Sequence, residues 1–317
     1  MQGDKLLIVD KMPKLLITGL EGLGYECDYK PDVGAGEVHD TIHDYEGLII
    51  RSKLPVDSKL IDKASKLKFI ARGGSGMETI DHEYAESKGI KCLNAPEGNR
   101  DAVGEHAMAL LLSMMNKLIT GDKEVREGKW LREKNRGVEL KGKTVGIIGF
   151  GNMGSAFAKR LKGFDVNVIA YDKQKKDFSN EFVEEVDLET IFNETDILSL
   201  HVPLTTETDY LVNDEFINKF SKNFYLINTA RGRIVNTKDL VKNIVSGKIL
   251  GAGLDVLEIE DQSCEKLVYN GNADEEWLKY FMSSDKVLLT PHVAGLSYRS
   301  KDRIAEVLIE KISTQIE

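Results

Sequence analysis

Four stretches of this 317-residue chain concentrate side chains able to do chemistry: TVGIIGFGNMGSAFAKRL (144–161), INTARGRIVN (227–236), GLDVLEIED (253–261) and LLTPHVAG (288–295). In the first, Gly149, Gly151 and Gly154 stand between an apolar run and an amphipathic one. A GxGxxG pattern alone fits a fortuitous turn as well as a nucleotide site, but a strand before it and a helix after it make the dinucleotide reading the stronger. Gly149 then permits the tight turn, Gly151 lets the backbone approach a pyrophosphate, and Gly154 allows close helix packing. The first amides of the helix face the anion. The next strand ends in Asp172, 18 positions beyond Gly154 (172 − 154). A carboxylate there accepts both hydrogen bonds of an adenosine ribose and repels a 2′-phosphate, so the expected cofactor is NAD rather than NADP, although Lys173 follows directly.

The other three stretches each end a predicted strand, and strand carboxyl ends are where open α/β sheets bind ligands. Arg231 offers a planar fork that can hold a substrate carboxylate and a carbonyl oxygen together, against the alternative of an ordinary surface arginine. Glu260 lies in the acidic loop EIED, where a lone glutamate is most often solvated. His292 can exchange a proton near neutral pH, although single histidines more often make structural hydrogen bonds.

These groups need strands to hold them. KLLIVD (5–10), GLIIRS (47–52), LKFIAR (67–72) and IKCLNAP (90–96) alternate with helical patterns, the rhythm of a parallel sheet with crossover helices. A second series follows at 144–149, 167–172, 197–202, 224–230, 251–256 and 287–292, with near-continuous apolar strands of the kind buried on both faces. Between the series, NRDAVGEHAMALLLSMMNKLIT sets Val103, Ala107, Leu110, Met114 and Leu118 on one face and predicts a single helix through Thr120, then a polar segment over 126–143, an arm or a linker. A last helix with Ile304, Leu308 and Ile312 on one face is expected to return to the first domain. The expected fold is α/β with two Rossmann-like, doubly wound parallel-sheet domains. One comprises residues 1–97 with 297–317, the other 98–296.

Composition narrows the partners. The chain is 41% hydrophobic and 30% charged, enough for a substantial core without a disordered tail. A net charge of −9 argues against nucleic acid or an anionic membrane as partner. Cys27, Cys92 and Cys264 are scattered without metal-ligand spacing, so reduced buried thiols in a cytoplasmic protein are expected, and no metal. The opening MQGDKLLIVD lacks the features of a signal peptide, and no apolar run reaches membrane length.

In this order, GFGNMG, HVPLT, NTARGRIV, GAGLDVLEIE and TPHVAG make nearly the whole chain similar to the D-2-hydroxyacid dehydrogenase family. EGLIIRSKLPVD, ARGGSGMETID and EGKWLREK most resemble its phosphoglycerate dehydrogenase branch. The resemblance implies a flavodoxin-like substrate domain beside an NAD-binding domain with a dimerisation helix and arm. It implies that Arg231 binds substrate, His292 exchanges the proton and Glu260 orients and charges the histidine. NAD would meet Ser75, Asn152, Met153, Asp172, Val202, Thr229, Ala230, Asp255 and the segment His292 to Gly295. Ser75 and Gly76 would cradle the substrate carboxylate. Asp261 stands where the family usually has proline, and the segment 261–285 is longer than expected. The chain ends soon after its last helix, so the regulatory domain of many phosphoglycerate dehydrogenases is not expected. A glyoxylate or hydroxypyruvate reductase, or an NAD-sensing corepressor-like binding protein, remains an alternative.

Arg51, Arg72 and Arg132 supply cations beyond the one a carboxylate needs, which favours a phosphorylated 2-hydroxy or 2-oxo acid, 3-phosphoglycerate or 3-phosphohydroxypyruvate, over three ordinary surface arginines. The unpartnered face of the long helix and Trp130 on the arm point to a homodimer. His39, His43, His82 and His106 are expected to be structural or solvated, and His201 a structural feature near the cofactor.

Overall fold

The computed structural model describes residues 4–261, 266–267 and 276–315. Contacts divide the chain into two compact units, Met1–Arg100 with Leu296–Glu317, and Asp101–Gly295.

In the first unit β1 (Lys5–Ile8), β2 (Glu26–Tyr29), β3 (Gly47–Ile50), β4 (Phe69–Arg72) and β5 (Lys91–Asn94) lie parallel in the order β2-β1-β3-β4-β5. This is the doubly wound order of flavodoxin-like sheets. Leu6 to Ile8, Leu48 to Ile50 and Phe69 to Ala71 are fully buried, as strands covered on both faces must be. The edge strand β2, ECDY, has no apolar run, and a reading by hydrophobic pattern passes over it. The helix Tyr298–Gln315 sets Leu308 and Ile312 among Leu6, Ile8, Leu16 and Leu20, with Ile304 partly buried beside them.

The second unit holds β6 (Thr144–Ile148), β7 (Asn167–Tyr171), β8 (Glu184–Glu185), β9 (Ile197–Leu200), β10 (Phe224–Asn228), β11 (Ile249–Leu254) and β12 (Val287–Leu289). Their parallel order, β12-β11-β10-β9-β6-β7-β8, is the 3-2-1-4-5-6 arrangement of dinucleotide folds with one added strand. Strand order reverses between β6 and β9, so the loops after these two strands flank the crevice where such sheets bind ligands.

The long helix departs from the sequence reading. It runs Pro96–Met115 and stops before Lys117, which takes a left-handed φ of 51°, and a second helix Leu118–Arg126 follows. No glycine or proline marks the break. Side-chain bonds stabilise it instead: Asn116 Nδ2 donates to the Leu112 carbonyl at 3.1 Å and Lys117 Nζ to the Lys134 carbonyl at 2.6 Å. Nor is the face of the long helix unpartnered, because Val103, Ala107 and Leu110 are buried. Exposed apolar side chains include Leu118, Ile119 and Val125 on the second helix and Trp130, 77% exposed, with Leu131 and Val138 on the arm.

Cys27 and Cys92 are free, half-buried thiols. Burial, with help from Glu21 and Glu86 respectively, pushes both up to about 11, so they are poor nucleophiles. Cys264 lies outside the described residues, as does most of the long segment after Asp261, which resumes with the helix Glu276–Ser283. Among the described residues no helix is long and apolar enough to cross a membrane, and no cluster of metal-ligating side chains occurs.

Candidate active site

β6 is buried along its length and delivers the chain to Gly149, whose φ of +92° and whose approach to His201 exclude any side chain: a Cβ there would lie 2.5 Å from the His201 carbonyl oxygen. At Gly154 a Cβ would lie 2.0 Å from the carbonyl oxygen of Gly149, so the helix Asn152–Leu161 packs against the turn through backbone alone. A Cβ at Gly151 would instead meet open space, and no side chain caps the helix there. The helix therefore presents its first amides, at Asn152 and Met153, without a protein acceptor from a capping side chain. This is the arrangement that receives a pyrophosphate. Val202, whose Cγ1 is 2.9 Å from the Gly149 Cβ position, and Ala230 line the neighbouring strand ends. The buried Thr229 hydroxyl oxygen makes no hydrogen bond among the described residues, which leaves a polar atom for a bound ligand to satisfy.

Asp172 ends β7 against this turn. Its Oδ2 accepts from the Phe150 amide at 2.7 Å, and its Oδ1 from the amides of Gln174 and Lys175 at 2.9 Å each. Burial opposes ionisation, but the amides of Lys175, Phe150 and Gln174 outweigh it and hold the carboxyl below its ordinary value. Lone pairs remain for ribose hydroxyls. Lys173 is engaged with Glu207 at 2.6 Å. His201 is kept neutral: burial pushes its ring down to about 3, its Nε2 bonds Ser199 Oγ at 2.8 Å, and the ring packs on Phe157.

The reactive side chains follow three neighbouring strands, β10, β11 and β12. Asn228 closes β10 and fixes the turn bearing Arg231: its Oδ1 accepts from the Ala230 amide at 3.0 Å and its Nδ2 donates to the Arg231 carbonyl at 2.9 Å. Gly232 presses this turn onto the loop after β11, since a Cβ there would lie 1.9 Å from the Leu257 carbonyl carbon. That loop is closed on itself by the Leu257 amide, which donates to Glu260 Oε1. The other oxygen, Oε2, lies 2.6 Å from His292 Nδ1. Glu260 and His292 are thus paired through one ring nitrogen of the histidine.

His292 holds a left-handed φ of 51°, a conformation that costs a residue with a side chain roughly 1–2 kcal/mol. Asp255, 1% exposed at the end of β11, compensates. Its carboxylate accepts from the amides of Val293 (2.9 Å) and Ala294 (2.7 Å) and from Thr290 Oγ1 (2.6 Å), while its carbonyl accepts from the His292 amide at 2.8 Å. Gly295 ends the segment.

The remaining candidates lie in the first unit, with one exception. Asp10 Oδ2 accepts from the amides of Arg51 (2.6 Å), Ser52 and Lys53, so a carboxylate at the end of β1 anchors the loop after β3. Arg72 ends β4, and its Nε donates to the Arg51 carbonyl at 3.1 Å. Its guanidinium lies over Gly74, where a Cβ would be 2.2 Å from Nη1. Ser75, two residues before Met77 and adjoining the partly exposed Gly76, bonds Asn99 through its hydroxyl at 2.6 Å and Asn94 through its carbonyl at 2.7 Å. Arg51, Arg72, Ser75 and Gly76 therefore gather at the carboxyl ends of β3 and β4, whereas Arg132 is an exposed residue of the second unit.

Reading by sequence overlooked Asn228, Thr290 and Asp10. An Asx-type residue at or within two positions of the end of a buried strand was the available signal for the first and last. His106, expected from sequence to be structural or solvated, has its Nε2 2.9 Å from Thr290 Oγ1, across 184 residues of chain.

Residues 108–294 match the family described as D-isomer specific 2-hydroxyacid dehydrogenase, NAD binding domain. The chain belongs to that family. A hydroxypyruvate reductase from Thermotoga maritima is 38% identical over 280 residues, 88% of either chain. A D-3-phosphoglycerate dehydrogenase from Archaeoglobus fulgidus is 35% identical over 97% of this chain, which spans only 56% of that longer protein. Among solved structures, a D-lactate dehydrogenase from Aquifex aeolicus complexed with NAD and lactic acid matches with a TM-score of 0.80 at 28% identity, covering 98% of this chain and 94% of that one. The protein is an NAD-dependent D-2-hydroxyacid dehydrogenase. Its glycine turn, uncapped helix and orphaned Thr229 hydroxyl fit NAD.

If the Asp172 carboxylate receives the ribose hydroxyls, as its spacing predicts, Asp172→Ala is expected to raise KM for NADH about tenfold or more while improving relative efficiency with NADPH, since a charge-assisted bond of ~1.5–3 kcal/mol is lost. Steady-state kinetics with both cofactors checks it. An unchanged cofactor ratio removes Asp172 from the selection.

Proposed function

We propose that this dehydrogenase interconverts 3-phosphoglycerate and 3-phosphohydroxypyruvate, an oxidation that opens serine biosynthesis. The observation carrying the reading is the pairing of Arg51 and Arg72 at neighbouring strand ends beside Ser75 and Gly76, two cations in addition to Arg231. A phosphate dianion is matched by several charge-assisted bonds, which an unphosphorylated acid does not require. Arg132 on the arm would add a third cation. A second reading, a hydroxypyruvate or glyoxylate reductase, is favoured by the near end-to-end match to the Thermotoga hydroxypyruvate reductase.

Bound NAD supplies the hydride acceptor or donor at the substrate's C2. In reduction, His292 delivers a proton to the substrate oxygen from the ring nitrogen opposite Glu260. The Glu260 carboxylate, 2.6 Å from Nδ1, fixes the tautomer and favours the charged ring that donates the proton. Arg231 holds the substrate carboxylate and steadies negative charge as it develops on oxygen. Backbone amides of Ser75 and Gly76 would receive the substrate carboxylate, and Ser75, Asn152, Met153, Val202, Thr229, Ala230, Asp255 and Gly295 would hold the cofactor.

We also read the enzyme as a cytoplasmic homodimer. Exposed Leu118, Ile119, Val125 and Trp130 give the helix after the long one and its arm an apolar surface suited to a second copy of itself. Light scattering at micromolar concentration is expected to give twice the chain mass, and a monomer mass would remove the dimer.

Replacing His292 by Asn is expected to lower kcat about 10²-fold or more with NADH affinity retained. Glu260→Gln withdraws the charge that favours the protonated ring, so the alkaline fall of the reduction rate is expected to move to lower pH. A pH–rate profile that stays in place would exclude Glu260 from the chemistry. Arg51→Ala and Arg132→Ala are each expected to weaken kcat/KM for phosphohydroxypyruvate by about 1.5–3 kcal/mol and to leave hydroxypyruvate little changed. Equal losses on both substrates would assign the arginines to the fold, and a wild-type preference for hydroxypyruvate would select the reductase reading.

A further inference from the structure

We propose that His106 is a positioning residue for His292, acting through the hydroxyl of Thr290. The inference rests on the reading of His292 as the proton-exchanging group. His106 sits on the helix Pro96–Met115, remote in sequence from every residue given a chemical role above.

The directions of the bonds follow from what each group can donate. The Asp255 carboxylate accepts from two backbone amides, which can only donate, so it is the acceptor end of the network. The single proton of the Thr290 hydroxyl therefore points to Asp255 Oδ1, 2.6 Å away. With its proton so directed, the hydroxyl can only accept at its other contact, the 2.9 Å approach of His106 Nε2. His106 thus carries its proton on Nε2, and the chain runs from imidazole N–H to hydroxyl to carboxylate. The same nitrogen lies 3.4 Å from Asp255 Oδ1 and adds to the stabilisation of that buried charge.

The consequence for His292 is geometric. Its amide donates to the carbonyls of both Asp255 (2.8 Å) and Thr290 (3.0 Å), and Thr290 is itself tied to β11 through the Leu254 carbonyl. Thr290 before the left-handed His292 and Val293 and Ala294 after it are bonded to Asp255. Of those ties, the Thr290 hydroxyl is the one oriented by a side chain from outside the β11–β12 region. Without the His106 donor the hydroxyl keeps only its bond to Asp255 and the buried carboxylate loses the imidazole 3.4 Å away, so the anchor is weakened and the segment Thr290 to Ala294 can relax toward the ordinary backbone region. Such relaxation carries Nδ1 out of its 2.6 Å contact with Glu260.

The test compares His106→Leu with His106→Gln, whose amide restores an N–H donor at similar reach, and with His292→Asn. The folded His106→Leu enzyme is expected to lose about 10-fold or more in kcat, since ångström-scale misplacement of reacting groups has effects of this order. KM for NADH should stay within about twofold, and the primary isotope effect with 4-deuterated NADH should rise as chemistry becomes slower. His106→Gln is expected to recover most of the loss, and His106→Leu/Thr290→Val to be no worse than either single change. Should His106→Leu fail to fold, Thr290→Val is read by the same criteria. Wild-type kcat in the leucine variant, a loss confined to KM, or a glutamine variant as impaired as the leucine one overturns the inference. An active His292→Asn enzyme overturns the reading of His292 instead.

Discussion

The constraint on which the site depends most is the burial of one carboxylate. Asp255 is 1% exposed, and a charge withdrawn from water to that degree is tolerated only where donors surround it. The chain after β12 provides them, from Val293, Ala294 and Thr290. Satisfying Asp255 therefore dictates the path of the segment carrying His292 and offsets the cost of that residue's left-handed backbone. The Glu260–His292 contact is a consequence of where this segment is forced to run. Electrostatics inside the sheet thus become side-chain placement at its edge.

A second carboxylate does comparable work at the nucleotide end. Asp172 draws in the amides of Phe150, Gln174 and Lys175, binding the end of β7 to the glycine turn after β6. The turn itself is held by contacts that leave no space for side chains at Gly149 and Gly154, while Gly151 faces open space. The first unit repeats the device with Asp10, which gathers the amides of Arg51, Ser52 and Lys53 at the end of β3. In all three places an acidic residue just beyond a buried parallel strand organises the neighbouring loop. Backbone amides at these strand ends lack ladder partners, and a carboxylate satisfies several at once.

Substrate choice within the family is a matter of which further charges meet the acid. The residues proposed for the chemistry at C2, Arg231, Glu260 and His292, all belong to the second unit. The cations that would distinguish a phosphorylated acid are attached elsewhere, at the ends of β3 and β4 and on the arm. Such a separation lets the reaction stay constant while specificity varies, the usual relation between a fold and the sites grafted on it.

The sequence by itself determined the two parallel sheets, because buried strands such as GLII and TVGII must be nearly continuously apolar and announce themselves. It also determined the glycine turn with Asp172, whose spacing is set by one local β-α-β unit, and that Arg231, Glu260 and His292 follow strand ends. It was silent on the edge strands Glu26–Tyr29 and Glu184–Glu185, which carry little apolar signal. The pattern ran past the break at Lys117 because the side-chain bonds that stabilise it reach across to Leu112 and Lys134. It assigned an unpartnered face to the long helix, where Val103, Ala107 and Leu110 are in fact buried. Only the tertiary structure joined His106 to Thr290 and Asp255, and Asn228 to the turn of Arg231. A hydrogen bond between residues 184 positions apart leaves no local periodicity or spacing in the chain, since it exists only after the strands and helix that bring its ends together have packed.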